Sequence, residues 1–401
     1  MMQRASALST ARLRRLREVL SRHVESGDMP GLVALVARRG QVHVEAIGTT
    51  ETGGSEPMRR DTIFRIASVT KQIAAAAAMT LIEECRLRLD DPVDGLLPEL
   101  ADRKVLTRID APLDDTVPAQ RPITVRDLLT FLMGTGLVVA PPGQFPIQRA
   151  LDEAGLSPGP AVTHVEPDEW MKRLGSLPLA HQPGEKWMYH TGSDALGVLM
   201  ARATGRPLPE LLAERIFGPL GMPDTGFHVP AATLHRLAAA YQPDPQTGAP
   251  VLTDDPRQSE WGHPPAFPSA GGGLVSTADD LLAFCAMMLN KGRYAGGRIL
   301  SRPSVELMTT DQLTSRQKAE NAVFFGGNSG WGLGVHVFTR RTGLASVPGR
   351  FGWNGGAGTS VYTDPAEELI GVLLTQREMT SPVPPSVFGD FWTCAYQAID
   401  D

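Results

Sequence analysis

Cysteine is scarce in this sequence, and the residue spacings that bind metals are missing. The 401 residues include three cysteines, Cys85, Cys285 and Cys394, with no Cys-x-x-Cys spacing and no neighbouring histidine pair. None of the nine histidines belongs to a His-Glu-x-x-His motif, which would place two imidazoles on one helical face around a catalytic metal. The sequence therefore predicts no metal site and no cofactor. It favours three buried thiols in a reducing cytoplasm.

Long apolar runs and an excess of positive charge are missing too. Residues 73–82 come nearest to a membrane span, but Glu83 and Glu84 end the run well short of the roughly 18 residues required. A formal net charge of -6 leaves no cationic surface for nucleic acid. Residues 1–31 alternate apolar residues with arginines and lack the roughly 7–15 residue apolar run of a secretion signal. We expect an amphipathic surface helix there, in a soluble cytoplasmic protein.

Strand patterns occur at both ends of the chain and enclose a helical middle. Two β-rich runs near the start predict a hairpin, and further strand patterns precede a last helix at residues 383–399. Short helical patterns separated by proline and glycine clusters fill residues 89–270. Two ends that build one sheet around an inserted lobe would explain this order. We predict a sheet domain of residues 1–66 and 271–401 and a helical domain of residues 67–270, with the active site between them. The predicted strands are residues 32–37, 41–47, 332–339, 350–354, 359–363 and 369–375.

A serine and a lysine three residues apart are the first candidates for chemistry. Ser68 and Lys71 stand where a strand-like run gives way to an alanine-rich segment that continues to Cys85, and alanine is the strongest helix former. One helical turn separates them, so their Cβ atoms should lie roughly 5–6 Å apart on one face. A serine hydroxyl becomes a good nucleophile when a base takes its proton, and a lysine whose pKa is lowered by burial can be that base.

The same spacing occurs a second time, at Ser315 and Lys318. This copy lies in a polar stretch with no apolar helix behind it. We interpret it as a helix cap and a surface lysine. Taken alone, Ser68 and Lys71 are open to the same structural interpretation. Further sequence elements have to decide between a catalytic pair and a helix cap with a surface lysine.

Tyr189 is one such element. It follows a loop and precedes a helical pattern at residues 194–203. A phenol beside a lysine ammonium is expected to have a depressed pKa and to shuttle protons. The structural alternative is a packed aromatic ring with one satisfied hydroxyl.

Two glycine-rich segments are the remaining elements. Gly355 and Gly356 end the strand pattern that contains Trp353, and a backbone N–H there could approach an oxyanion closely. Three glycines at residues 271–273 precede a helix start capped by Ser276 or Thr277, which predicts close backbone packing. An ordinary hairpin would also explain the first segment.

The order of these motifs resembles that of the β-lactamase and penicillin-binding protein superfamily. There, Ser-x-x-Lys precedes a Tyr-x-Asn triplet and a glycine-bounded triplet on a C-terminal strand. The chain is similar to family VIII carboxylesterases, akin to class C β-lactamases, over nearly everything from Gly31 onwards. The resemblance implies an α/β (α+β) fold: a central, mostly antiparallel sheet flanked by helices, with an inserted, mainly helical lobe. The matching segments are residues 64–68, 71, 123–130, 182–184, 189–191, 271–277 and 353–355.

The resemblance also implies residue roles. Ser68 matches the acylated serine, Lys71 its base and Tyr189 the tyrosine that assists proton transfer. Trp353 and Gly355 match the third motif. The oxyanion hole would be formed by the peptide N–H of the acylated serine and that of Gly356.

The chain departs from the superfamily pattern at two positions. Thr191 replaces the usual Asn of the second triplet, and Trp353 stands where relatives that cleave β-lactams have Lys or His. The triplets at residues 190–192 and 341–343 imitate the Lys-Thr-Gly motif, but the first overlaps the tyrosine motif and the second lies in a predicted turn. We assign neither of them to the site.

The predicted reaction is two-step hydrolysis of a small-molecule ester with a short acyl chain. Because the indole of Trp353 carries no charge, it cannot pair with the carboxylate of a β-lactam or peptide. The alternatives on the same residues are a β-lactamase or D,D-peptidase, an acyltransferase or transesterase, and a sensor that is acylated once. The sequence contains no Gly-x-Ser-x-Gly motif, which counts against an α/β-hydrolase. No motif specifies an oligomeric state.

Overall fold

A computed structural model describes residues 7–159 and 162–401. The predicted alternation of strands and helices is confirmed, with strands concentrated towards both ends of the chain. The strands are β1 Gly31–Arg38, β2 Gln41–Gly48, β3 Phe64–Arg65, β4 Lys104–Leu106, β5 Thr116–Pro118, β6 Ala240–Pro243, β7 Pro250–Asp254, β8 Val275–Ser276, β9 Arg293–Tyr294, β10 Gly297–Arg298, β11 Ser329–Trp331, β12 His336–Phe338, β13 Phe351–Gly355, β14 Thr359–Asp364 and β15 Leu369–Thr375.

The helices pack on both faces of the main sheet and fill the middle of the chain. The α-helices are α1 Thr10–Glu25, α2 Thr70–Glu83, α3 Val125–Thr130, α4 Pro146–Glu153, α5 Pro167–Ser176, α6 Thr191–Thr204, α7 Leu208–Leu212, α8 Gly218–Leu220, α9 Ala278–Leu289, α10 Arg302–Met308, α11 Ser315–Ala319, α12 Ala322–Phe325 and α13 Ser386–Gln397. Short 3₁₀ turns lie at Ala67–Val69, Pro98–Leu100, Leu234–Arg236, Pro256–Gln258 and Glu260–Gly262, and a π turn lies at Ala213–Phe217. Among these described helices, none has the length and apolar character to cross a bilayer.

Both ends of the chain contribute to one seven-stranded antiparallel sheet. Its order is β11-β12-β13-β14-β15-β1-β2, so the early hairpin joins the late strands through the pairing of β1 with β15. This confirms the predicted hairpin and the antiparallel sheet. The division of the chain at residues 66–67 and 270–271 stays a prediction.

Strand β1 is buried along its whole length because helices cover both faces of the sheet. Side chains alternate between the two faces of a strand. Leu32 and Ala34 pack with α1 and α13, whereas Val33 and Leu35 join the larger core with α2 and α9. The continuous apolar run therefore reflects a strand enclosed on two sides.

The first helix has the predicted amphipathic character. It buries Leu13, Leu16 and Leu20 against the sheet and leaves most of its arginines exposed. Residues 1–6 of the segment predicted as a helix lie outside the described residues.

Two sequence predictions are wrong at turns. The strand expected over residues 332–339 is shortened to β12, because Gly334 adopts a φ of +75° in the turn after β11. The alanine-rich helix ends at Glu83 rather than at Cys85, which has a φ of +57° and an exposed thiol. Cys285 and Cys394 are buried, as predicted, whereas the predicted burial of Cys85 is wrong, because Cys85 lies in the exposed turn after the helix.

Helix α2 brings its backbone unusually close to neighbouring segments. Ala75 is 1% exposed, and a Cβ placed on Gly334 would come within 2.3 Å of its methyl group. Small residues on both sides therefore fix the distance between the helix that carries Lys71 and the turn before β12. A larger side chain would force the two apart.

We expect Ala75→Leu to lower the free energy of unfolding by about 1–3 kcal/mol, because the extra methylenes have no space against Gly334. Ala319→Leu is the matched control, since Ala319 is an exposed helical alanine and surface changes usually stay within about 0.5 kcal/mol. Urea unfolding measures both variants. Equal stabilities of the two would contradict the proposed close packing.

Candidate active site

Ser68 lies in a tight turn that leads into α2. The turn Ala67–Val69 is 3₁₀, and the α-helix itself begins at Thr70, so the predicted helix start is confirmed to within two residues. Ala67 has a φ of +42°, a left-handed conformation that is uncommon for a residue other than glycine. Such strain concentrates at functional sites, where the surrounding structure enforces it.

The end of β13 lies directly against this turn. A Cβ on Gly355 would come within 2.3 Å of the Ile66 carbonyl oxygen, so only glycine allows this approach. Thr359 Oγ1 donates a hydrogen bond to the same oxygen at 3.1 Å. The third motif and the serine turn, far apart in sequence, are therefore adjacent in the fold.

Lys71 is buried, with 1% of its surface exposed. Its Nζ lies 3.0 Å from Ser68 Oγ, 2.5 Å from the Gly271 carbonyl oxygen and 3.1 Å from His190 Nδ1. Burial lowers the pKa of the lysine to about 7, although the negative charge of Asp194 acts in the opposite direction. A substantial fraction of the amine is thus neutral near physiological pH and can accept a proton.

Tyr189 lies over the amine but does not have the depressed pKa expected from the sequence. Lys71 Nζ is 4.5 Å from the centroid of the phenol ring, so the cation faces the ring rather than the hydroxyl group. Burial raises the pKa of Tyr189 above its usual value, and the contacts of its hydroxyl with Ser68 and Trp353 only partly offset this. The phenol is therefore protonated and is a proton donor.

An aromatic cluster holds the tyrosine ring. Trp353 is 7% exposed, and its indole N–H donates a short hydrogen bond to the Tyr189 hydroxyl. Phe131 meets the ring edge-on at 5.6 Å between centroids, and Trp187 stacks on it at 5.5 Å. The structure thus places the tryptophan of the third motif against the tyrosine of the second.

Two peptide N–H groups lie on the segments that meet at the serine turn. That of Ser68 lies in the first turn of a helix, where N–H groups have no intrahelical partner. That of Gly356 follows the end of β13, and within the described part of the chain it makes no hydrogen bond. Both belong to the two segments that Gly355 and Ile66 bring into contact.

His190 was missed by the sequence analysis, which rejected the triplet at residues 190–192 as a substrate motif. Its side chain is buried and joins Lys71 to Asp194, with 3.1 Å between His190 Nε2 and the carboxylate. One signal in the sequence was the four-residue spacing of His190 and Asp194 at a helix start. Thr191, the replacement for Asn, is the first residue of α6 and is 1% exposed.

The second Ser-x-x-Lys copy behaves as a structural element. Thr314 caps α11, one residue before the Ser315 expected in that role, by accepting a hydrogen bond from the peptide N–H of Gln317. Lys318 Nζ pairs with Asp311 at 2.5 Å. No group of three or more His, Cys, Asp or Glu side chains suited to a metal lies among residues 7–159 and 162–401.

Comparison with known sequences identifies the family. The family described as Beta-lactamase matches residues 16–385, and the chain belongs to it. Protein Rv1367c of Mycobacterium tuberculosis is 40% identical over 88% of this chain and 87% of its own length. Esterase EstB of Burkholderia gladioli is 32% identical over 90% of this chain and 89% of its own length.

A solved structure agrees with this family assignment. EstCE1, described as a hydrolase with promiscuous acyltransferase activity, matches with a TM-score of 0.81 and 26% identity over 96% of this chain and 98% of that chain. Within the β-lactamase family, the chain is therefore a family VIII esterase, a serine hydrolase that acts on esters.

The pKa of Lys71 predicts a pH dependence. If the neutral amine accepts the serine proton, kcat/KM should fall tenfold per pH unit below about 7, because the ammonium form cannot accept it and the lysine pKa is about 7. Hydrolysis of p-nitrophenyl butyrate, measured from about pH 5.5 to 8.5, would show this limb. An activity that stays constant down to about pH 5.5 would contradict the role of Lys71 as base.

Proposed function

We propose that this protein hydrolyses short-chain acyl esters through an acyl-enzyme on Ser68. The observation that carries the proposal is the 3.0 Å contact between Ser68 Oγ and a buried Lys71 amine whose pKa is about 7. A nucleophile and a base at hydrogen-bond distance, with the base neutral near pH 7, meet the requirements for nucleophilic catalysis.

In the first step, Ser68 Oγ attacks the ester carbonyl carbon while Lys71 Nζ takes the hydroxyl proton. The carbonyl oxygen becomes an oxyanion and accepts hydrogen bonds from the N–H groups of Ser68 and Gly356, each worth about 2.7–4 kcal/mol in comparable sites. When the carbon–oxygen bond breaks, the leaving alcohol needs a proton. The protonated Tyr189 hydroxyl donates it, and the Lys71 ammonium returns a proton once the amine has moved from the face of the ring to the phenolate oxygen.

Water completes the cycle by attacking the acyl carbon. Lys71 and Tyr189 then run the proton transfers in reverse: the water proton passes to the amine, and Ser68 Oγ leaves as a hydroxyl group. The acid is released and the enzyme returns to its starting protonation state. The steps above use water, the side chains of Ser68, Lys71 and Tyr189, and the two peptide N–H groups.

Two features of the surroundings support the proposed substrate class. Trp353 presents no charge that could pair with a substrate carboxylate. A cavity of about 210 Å³ adjoins the site at the segment of residues 269–273; Phe227, Trp261 and Phe267 lie in its wall, whereas Ser68 and Lys71 do not. This is smaller than the roughly 300–1,000 Å³ of pockets for drug-sized ligands. An apolar wall and a modest volume suit a short acyl chain.

Acyl transfer to an alcohol is a second candidate reaction. The similarity to EstCE1, which is described with acyltransferase activity, favours it. The acyl-enzyme would be the same, and an alcohol oxygen would attack it in place of water. Product analysis in the presence of an alcohol such as methanol would measure the partition between acid and methyl ester.

We expect Ser68→Ala to abolish turnover of p-nitrophenyl butyrate, because it removes the atom that forms the acyl-enzyme, and a fluorophosphonate should label Ser68 in the native protein. Ser315→Ala is the matched control, since it alters the other Ser-x-x-Lys copy, and it should keep full activity. A folded Ser68→Ala protein with substantial turnover, or a label on another serine, would refute the assignment.

We expect kcat/KM for p-nitrophenyl butyrate to exceed that for benzylpenicillin by several orders of magnitude. The penicillin carboxylate would lie partly desolvated and unpaired beside Trp353, which is costly for a charged group. A p-nitrophenyl ester of succinic acid is the control for charge alone, since its acyl chain has four carbons and ends in a carboxylate. Comparable efficiencies for butyrate and benzylpenicillin would instead favour a β-lactamase or D,D-peptidase.

A further inference from the structure

A buried histidine and a buried aspartate lie behind Lys71, outside the set of groups that contact the ester. His190 is 7% exposed and Asp194 is 6% exposed. His190 Nδ1 lies 3.1 Å from Lys71 Nζ, and His190 Nε2 lies 3.1 Å from Asp194 Oδ2. The three side chains form a continuous line from the base of the reaction to a buried carboxylate.

The hydrogen-bonding capacities of these groups fix the histidine tautomer. A lysine ammonium only donates, so His190 Nδ1 has to accept, and the ring proton therefore sits on Nε2, where it is donated to Asp194. Burial and the charge of Lys71 lower the pKa of His190, which keeps the ring neutral as this pattern requires.

Asp194 is itself held in place by the segment that also contacts the lysine. Its Oδ1 accepts hydrogen bonds from Ser269 Oγ at 2.7 Å and from the Gly271 N–H at 2.9 Å. The carbonyl oxygen of the same glycine accepts from Lys71 Nζ. Burial acts to raise the pKa of Asp194, but its interaction with His190 and the hydrogen bonds from Ser269 and Gly271 outweigh this effect and keep the pKa below its usual value. The carboxylate is therefore ionised.

The backbone of His190 is strained. Its φ of 85° and ψ of -66°, with the Thr191 N–H 3.3 Å from the Tyr189 carbonyl oxygen, define a γ-turn of the rare, strained kind. A conformation of this kind costs about 1–3 kcal/mol and persists where the surroundings enforce it. Here the γ-turn directs the His190 imidazole towards the amine of Lys71, while the phenol ring of the preceding residue, Tyr189, lies over the same amine.

We propose that His190 and Asp194 are positioning residues for Lys71: they hold its amine against Ser68 and set the pH range in which it acts as a base. The inference rests on the proposed function. As the serine proton moves to the amine, the charge that forms on Lys71 is stabilised by Asp194 through the neutral imidazole. Among the described residues, the ionisable groups that face the amine are Tyr189, His190 and Asp194, and the Ser68 hydroxyl and the Gly271 carbonyl oxygen complete its surroundings.

Asp194→Asn separates this role from a merely structural one. An asparagine amide has one oxygen that accepts and one NH₂ group that donates. In one orientation the NH₂ group would face the N–H of His190, and in the other it would face the N–H of Gly271. The clash with His190 is avoided only if the histidine adopts its other tautomer, which turns an N–H towards Lys71. Loss of the negative charge also removes an interaction that raises the lysine pKa. We expect kcat to fall at least about tenfold with KM nearly unchanged, and the acidic limb of kcat/KM to move to lower pH.

His190→Asn and Asp194→Glu are the companion variants. His190→Asn replaces the ring by a shorter polar side chain that cannot link Lys71 to Asp194. The same loss of kcat and the same shift of the acidic limb are expected. Asp194→Glu restores the charge and should return the limb towards its native pH. Thermal unfolding of each variant checks that it remains folded.

Asp390→Asn is the matched control, because it alters a histidine–aspartate contact far from the site, between Asp390 and His23, and it should change neither kcat nor the limb. The inference would be overturned if folded Asp194→Asn and His190→Asn kept the native kcat and if the acidic limb of their kcat/KM profiles stayed at the native pH. That outcome would leave the proposed function intact as long as Ser68→Ala is inactive, whereas an active Ser68→Ala would remove the proposed function itself.

Discussion

Burial of the Lys71 amine is the constraint on which the active site depends. A charged amine taken out of water is costly unless hydrogen bonds compensate for it, and here Ser68, Gly271 and His190 all lie within hydrogen-bond distance. The same burial lowers its pKa to about 7. The burial that destabilises the charged form of the lysine is thus the same burial that allows a lysine to act as a base near neutral pH.

Small residues make this burial geometrically possible. Helix α2 presents a run of buried alanines, so neighbouring segments approach its backbone. Gly334 meets Ala75 on one side of the helix, and Gly355 meets Ile66 at the turn that carries the serine. Close packing therefore determines the position of Ser68 as much as hydrogen bonding does, because larger side chains at these points would separate α2 from the sheet.

The indole of Trp353 links the choice of substrate to the position of Tyr189. The resemblance in motif order matches it to the cation of relatives that cleave β-lactams, and its N–H donates a hydrogen bond to the Tyr189 hydroxyl. In the proposed function, a single residue therefore offers no partner to substrate carboxylates and restrains the phenol proposed to move protons. The aromatic cluster around it also keeps the phenol buried, which is why the tyrosine pKa is raised although a lysine lies nearby.

The sequence by itself determined the features that depend on local periodicity and motif order: the alternating strands, the alanine-rich helix, the one-turn spacing of Ser68 and Lys71, and the family. These follow from backbone geometry, which acts over a few residues. Only the tertiary structure decided that His190 contacts Lys71, that Cys85 is exposed, and that burial raises the tyrosine pKa. Burial and charge depend on contacts between residues more than a hundred positions apart, such as Lys71 with His190, and no local pattern encodes them.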